Sequence, residues 1–126
     1  MSEKRILIIE DSGVVARPLQ RALELHFGDQ FFEVERCGSA EEALQLLDER
    51  RFDLLISDLM LPGINGLELL TQVAANNPAM PSIIMTAFGS PQMELQVRRV
   101  ATEFLPKPFT LNELVETVER ALATAA

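Results

Sequence analysis

Apolar residues in this chain gather into short unbroken runs, and the stretches between the runs repeat with helical spacing. Ile6 to Ile9, Leu54 to Ile56, Ile83 to Met85 and Phe104 to Pro106 are such runs, and with the mixed stretch Phe32 to Cys37 they are short enough for strands, at intervals of roughly 20 to 30 residues. After the first run, Val15, Leu19, Ala22, Leu23 and His26 share a helical face; Pro18 within it predicts a kink or a late helix start. Ser39 with Glu42 three residues on reads as a capping box, and Ala43, Leu44, Leu46 and Leu47 supply that helix's apolar side. The third strand is expected over 53–57, followed by a helix striped by Leu67, Leu70, Val73 and Ala74. Asn76-Asn77-Pro78 breaks the chain before a fourth strand starting at Pro81, and Pro91 suits the first turn of the next helix. Thr110 and Glu113 form a second capping box, ahead of Leu111, Leu114, Val115, Val118 and Leu122 on one face.

The runs at 54–57 and 83–85 do not alternate, which predicts parallel strands covered on both faces. Five βα units with right-handed crossovers make a doubly wound α/β sandwich, too few for a closed eightfold barrel. The expected fold is a flavodoxin-like five-stranded parallel sheet of order 2-1-3-4-5. Without a linker or internal repeat, residues 1–126 read as a single domain. Ligands of such sheets sit at the carboxyl ends of the strands, and Glu10, Asp11, Asp58, Thr86 and Lys107 all fall at that edge.

Composition narrows the partners. The net charge of −8 repels nucleic acid, and Arg50-Arg51 and Arg98-Arg99 are short basic spots, so no direct nucleic-acid contact is expected. No apolar run approaches the roughly 20 residues of a membrane span, and the N-terminus lacks a signal-peptide core. Cys37 is the single cysteine and forms no internal disulfide, which suits a cytoplasmic setting. The single histidine, His26, sits near a helix end and builds no metal cage.

If the first and third strands are neighbours, Glu10, Asp11 and Asp58 converge. Like charges about 4 Å apart repel by ~4 kcal/mol at an effective dielectric near 20, so the acids must bind protons or a cation. Hard oxygen donors without histidine or thiolate favour Mg2+. Lys107 can pair with a carboxylate or a phosphate oxygen, and Thr86 can donate to another. Asp58 then has the surroundings of a phosphoryl acceptor, whose product is a hydrolysable acyl phosphate. Singly, each residue has a plainer use: Asp11 as a helix cap, Lys107 as a surface lysine, Phe104 as a core aromatic.

Four motifs carry a resemblance. Ile-Ile-Glu10-Asp11-Ser, Ser-Asp58-Leu-Met-Leu-Pro-Gly-Ile-Asn-Gly, Met-Thr86-Ala-Phe-Gly-Ser and Phe104-Leu-Pro-Lys107-Pro-Phe occur in that order. Together they resemble the receiver domain of two-component response regulators over nearly the whole chain. The resemblance implies that Asp58 takes a phosphoryl group from a phosphohistidine on a sensor histidine kinase or phosphotransfer protein. It implies Mg2+ held by Glu10, Asp11, Asp58 and the Met60 backbone carbonyl, with Thr86 and Lys107 on the phosphate oxygens. Thr86 and Phe104 would form a conformational switch read by a downstream effector, Lys107–Pro108 would often be cis, and Met60 and Phe88 would flank the phosphate. A homodimer would use the fourth helix, fifth strand and fifth helix. The chain departs from the usual pattern at Phe104, where many relatives carry tyrosine, at Val100, where glycine is common, and at Pro18.

Such a protein is a signalling switch rather than a turnover enzyme, although its own residues perform phosphorylation and hydrolysis. A small Mg2+-dependent aspartyl phosphatase would want a second aspartate where Met60 stands. A nucleotide or flavin carrier would want a glycine-rich loop where Glu10-Asp11-Ser12-Gly13 stands. A pseudo-receiver used only for protein contacts would not need all five site residues.

Overall fold

A computed structural model describes residues 4–28, 32–87 and 90–124. Strands β1 (Lys4–Ile9), β2 (Phe32–Cys37), β3 (Leu54–Asp58), β4 (Ser82–Thr86) and β5 (Glu103–Pro106) form one parallel sheet of order β2-β1-β3-β4-β5. Helices α1 (Gly13–Phe27), α2 (Ala40–Glu49), α3 (Gly66–Asn76), α4 (Pro91–Val100) and α5 (Leu111–Ala123) alternate with them. The expected fold and strand order are both observed.

The unbroken apolar runs face two ways. Ile6, Ile8, Leu54, Ile56, Ile83, Met85 and Leu105 pack with α1 and α5, through residues such as Leu23, Phe27, Leu114 and Val118. Leu7, Ile9, Leu55 and Ile84 pack on the other side with α2, α3 and α4, through Ala43, Leu69, Leu70, Val73 and Val97. The period of two along each strand therefore feeds two cores at once, which is why these runs are apolar at every position.

Local signals set the helix starts. Ser39, Asn65, Ser90 and Thr110 each accept a hydrogen bond from the backbone N–H three residues on. At Thr110 the box is reciprocal, with Glu113 accepting from the Thr110 N–H. At Ser39 the hydroxyl cap is present, and Glu42 turns its carboxylate to the Ser39 hydroxyl, 3.4 Å away. Pro91 occupies the first turn of α4 as expected.

Three helix details differ from the sequence reading. Of the two outcomes expected at Pro18, the late start is not seen, since α1 starts at Gly13; the carbonyl that Pro18 leaves without a donor belongs to the exposed Val14. The buried stripe of α1 is Ala16, Leu19, Leu23 and Phe27, one residue round from the expected Val15–His26 face, because it is anchored by the large Phe27 ring and opened by the small Ala16. Leu111 lies outside the α5 core face, where Thr117 and Ala121 are buried instead. Val100 simply ends α4: Ala101 leaves it in an extended conformation while donating to the Val97 carbonyl, so no left-handed glycine is required.

Gly66 fixes how closely α3 approaches the sheet. A Cβ there would lie 2.3 Å from the Asp58 carbonyl oxygen and 3.0 Å from Leu59 Cα, both backbone atoms that cannot swing aside. Gly66→Ala is expected to destabilise the fold by about 3 kcal/mol, the upper end for overpacking, as read from urea unfolding midpoints. Cys37 ends β2 buried, and that burial, with the nearby Glu42 charge, pushes its thiol up to about 11 from 9.0. Thiolate is the reactive form, so labelling of the native protein at pH 8 is expected about 100-fold slower than labelling of the urea-unfolded chain.

Candidate functional site

Strand register assembles the site. Pairing of Ile9 with Ser57 and of Asp58 with Met85 puts the ends of β1, β3 and β4 side by side, and the Glu10 N–H donates to the Cys37 carbonyl at 3.0 Å. Glu10 and Asp11 follow β1, while Asp58 is the last residue of β3 rather than the first of a loop. One carboxylate oxygen from each of the three lies within 4.8 Å of the other two. Glu10 and Asp58 are buried and Asp11 is exposed, so the cluster opens toward solvent on the Asp11 side.

Among the described residues, Lys107 is the cation ion-paired with these acids. Lys107 Nζ lies 3.1 Å from Asp58 Oδ2 and 3.4 Å from Glu10 Oε1. Its backbone N–H donates to the Thr86 carbonyl at 2.8 Å, which ties the loop after β5 to the end of β4. The Lys107–Pro108 peptide is cis, as the resemblance implied. The two carboxylates hold the Lys107 proton more tightly than an isolated ammonium would, against the opposing effect of its burial.

Burial is also the largest influence on Glu10, pushing its carboxyl up to about 7 from 4.5. The neighbouring Asp11 and Asp58 act in the same direction, and Lys107 only partly offsets them. One ammonium thus leaves three acids undercompensated. The donor set of hard carboxylate oxygens fits a divalent cation that prefers oxygen and keeps part of its water.

Backbone contacts hold Asp58 in place. Its Oδ1 accepts from the Met60 N–H at 3.2 Å, and its carbonyl accepts from the Ser57 hydroxyl at 2.9 Å. The Leu59 N–H donates to the Met85 carbonyl, and Gly66 N–H donates to the Leu59 carbonyl, so the loop after β3 is pinned at both ends. Gly63, with φ of +74°, makes the turn between them, a conformation suited to glycine. Met60 is 66% exposed at the rim. Phe88, the other expected flanking residue, lies outside the described residues.

Thr86 ends β4 almost fully buried. Ile84 pairs with Phe104, and Thr86 pairs with Pro106. Because side chains alternate along a strand, Thr86 shares the Ile84 face of the sheet with Phe104. Phe104 is half-buried against the core under α2, α3 and α4. Glu10, Asp11, Asp58, Thr86 and Lys107 therefore meet at one sheet edge, with Phe104 two residues back from it along β5. Two supports of Asp58, the Ser57 hydroxyl and the Met60 N–H, escape the sequence reading. So does Gly66, for which the glycine closing the Pro-Gly-Ile-Asn-Gly run was the available signal.

Comparison with known proteins agrees with this geometry. A family described as "Response regulator receiver domain" matches residues 6–119. The transcriptional activator protein PfeR of Pseudomonas aeruginosa is 37% identical over 87% of this chain and 35% of its own length. A CheY-like response regulator receiver domain protein from Methanospirillum hungatei superposes with a TM-score of 0.88 at 28% identity, covering 98% of this chain and 97% of that one. A putative response regulator from Chloroflexus aurantiacus gives a TM-score of 0.86 at 34% identity, covering 97% and 99%. The chain spans about a third of the length of PfeR and about a quarter of that of the response regulator FleR of Pseudomonas aeruginosa. The family match over most of the chain, the shared fold and the acid cluster at the sheet's carboxyl edge agree: this chain belongs to the receiver domain family of two-component response regulators.

Proposed function

We propose that Asp58 is the phosphoacceptor of this receiver, that residues 1–126 act as one switch unit, and that Mg2+ is its cofactor. The observation that carries the reading is the single ammonium of Lys107 set 3.1 Å from Asp58, beside a three-carboxylate cluster it cannot neutralise alone. Glu10, Asp11 and Asp58, with the Met60 carbonyl, would hold the ion, which would neutralise charge on the phosphoryl oxygens.

An Asp58 carboxylate oxygen takes the phosphoryl group as the P–N bond of a partner's phosphohistidine breaks. The electrons of that bond return to the imidazole, which gains a proton. Lys107 and Thr86 bind the phosphoryl oxygens, Lys107 by charge and Thr86 through its hydroxyl. Attack of water on phosphorus later releases inorganic phosphate and restores the carboxylate, so the chain's own residues catalyse both steps. Positioning and charge stabilisation suffice for such transfers. The partners on this reading are a sensor histidine kinase or phosphotransfer protein upstream and an effector protein or domain downstream. A homodimer through α4, β5 and α5 is part of the same proposal, as is a cytoplasmic setting. Among the described residues, no helix is long and apolar enough to cross a membrane.

Thr86 and Phe104 form the switch on this reading. A Thr86 hydroxyl drawn to the phosphoryl group vacates space on their shared sheet face, and the half-buried Phe104 ring moves into it.

Two sets of measurements test the reading. Incubation with Mg2+ and a small-molecule phosphodonor is expected to add the mass of one phosphoryl group to the wild type and none to Asp58→Asn. Lys107→Met is expected to weaken beryllofluoride binding by roughly 10- to 100-fold, the loss of one charge-assisted hydrogen bond. A wild type that gains no mass and binds no Mg2+ would sink the assignment. Thr86→Ala is expected to keep beryllofluoride uptake within about tenfold, since it removes one neutral hydrogen bond. It should also abolish the accompanying change in the Phe104 aromatic NMR signals, and retention of that change would remove Thr86 from the switch.

A further inference from the structure

Phe104 has no hydroxyl, so only packing and the faces of its ring can hold it in place. One such contact is with α4. The guanidinium carbon of Arg98 stands 5.8 Å from the centre of the Phe104 ring, within range of a cation–π attraction. The same guanidinium donates to Glu94 Oε1 at 3.0 Å, one helical turn back. With the acid on the N-terminal side, this pair has the favourable orientation for an i,i+4 contact. Arg98 also lies in the last turn of α4, where a cation suits the helix dipole. Its side chain is 60% exposed, so it reaches the ring from α4 without being part of the core.

We propose that Arg98, anchored by Glu94, is a positioning residue that latches the Phe104 ring in its half-buried place and so sets the resting bias of the switch. The proposal rests on the reading of Phe104 as the reporter of the Asp58 site. A contact made in only one of two ring positions shifts the equilibrium by its own free energy and no more. An exposed cation–π pair corresponds to roughly a two- to fivefold factor in an equilibrium constant. By reciprocity, a ligand whose binding requires the ring to move loses the same factor in affinity. The latch is therefore weak: it holds the free protein and yields to an occupied site.

The test is a double-mutant cycle on the full chain with Mg2+ and beryllofluoride. Arg98→Met keeps the aliphatic stem and helix propensity while removing the charge. It is expected to raise beryllofluoride affinity two- to fivefold, with Arg98→Lys in between and Glu94→Gln shifted the same way by less. In a Phe104→Leu background, Arg98→Met is expected to change nothing. An unchanged affinity in Arg98→Met, or the same gain without the ring, overturns the latch. Aromatic NMR signals of Phe104 in the free protein decide independently: they must shift between wild type and Arg98→Met, and identical signals also overturn it. A wild type that takes up no beryllofluoride defeats the Asp58 assignment instead, and the free-protein signals then still decide the latch.

Discussion

Three carboxylates confined within 4.8 Å of one another, against one ammonium, form the constraint on which the rest of the molecule depends. Charges so placed repel by several kcal/mol at protein-surface dielectric, and no isolated loop would hold them together. Glu10 shows the consequence, its carboxyl pushed up to about 7, chiefly by burial. A site of this kind is poised. It gains whenever a cation enters, and on the proposed reading it redistributes its contacts when Asp58 becomes an acyl phosphate.

The force that keeps the acids together lies in the strands behind them. Ile6 to Ile9, Leu54 to Ile56 and Ile83 to Met85 are all buried, each strand feeding both cores. Burying one such side chain contributes about 1.5–3 kcal/mol, so a few of them outweigh the repulsion at the edge. The register is also unforgiving, because a slip of one residue would exchange the two faces and carry Asp58 away from Glu10. Gly66 adds the complementary restraint from α3, whose backbone approaches Asp58 too closely for any side chain at that position.

Most of this was legible in the sequence because strong local patterns and global topology agree. Uniformly apolar runs declared the parallel strands, caps at Ser39 and Thr110 declared the helix starts, and the polar residue ending each run declared the site edge. The misses have separate physical causes. Whether Ala16 or Val15 faces the sheet depends on which large residue, here Phe27, anchors the helix, and spacing of three and four residues permits both choices. Backbone supports such as the Met60 N–H are carried by nearly every residue type and leave no mark in a sequence. The Arg98–Phe104 contact was hidden for another reason: its two residues lie on different elements, and only the docking of α4 against β5 brings them together.

That docking also decides where a change at the site can emerge. Thr86 and Phe104 share the sheet face covered by α2, α3 and α4, whereas α1 and α5 cover the other. On the proposed switch, a displacement of Thr86 reaches the Phe104 ring and α4 without repacking the core around Leu23 and Val118. The sheet contributes Ile6, Ile8, Ile56 and Met85 to that core, while Ile84 belongs to the opposite one. The proposed switch therefore works on one side of the sheet and leaves the core on the other side in place, so a bias as small as a single cation–π contact can tune it.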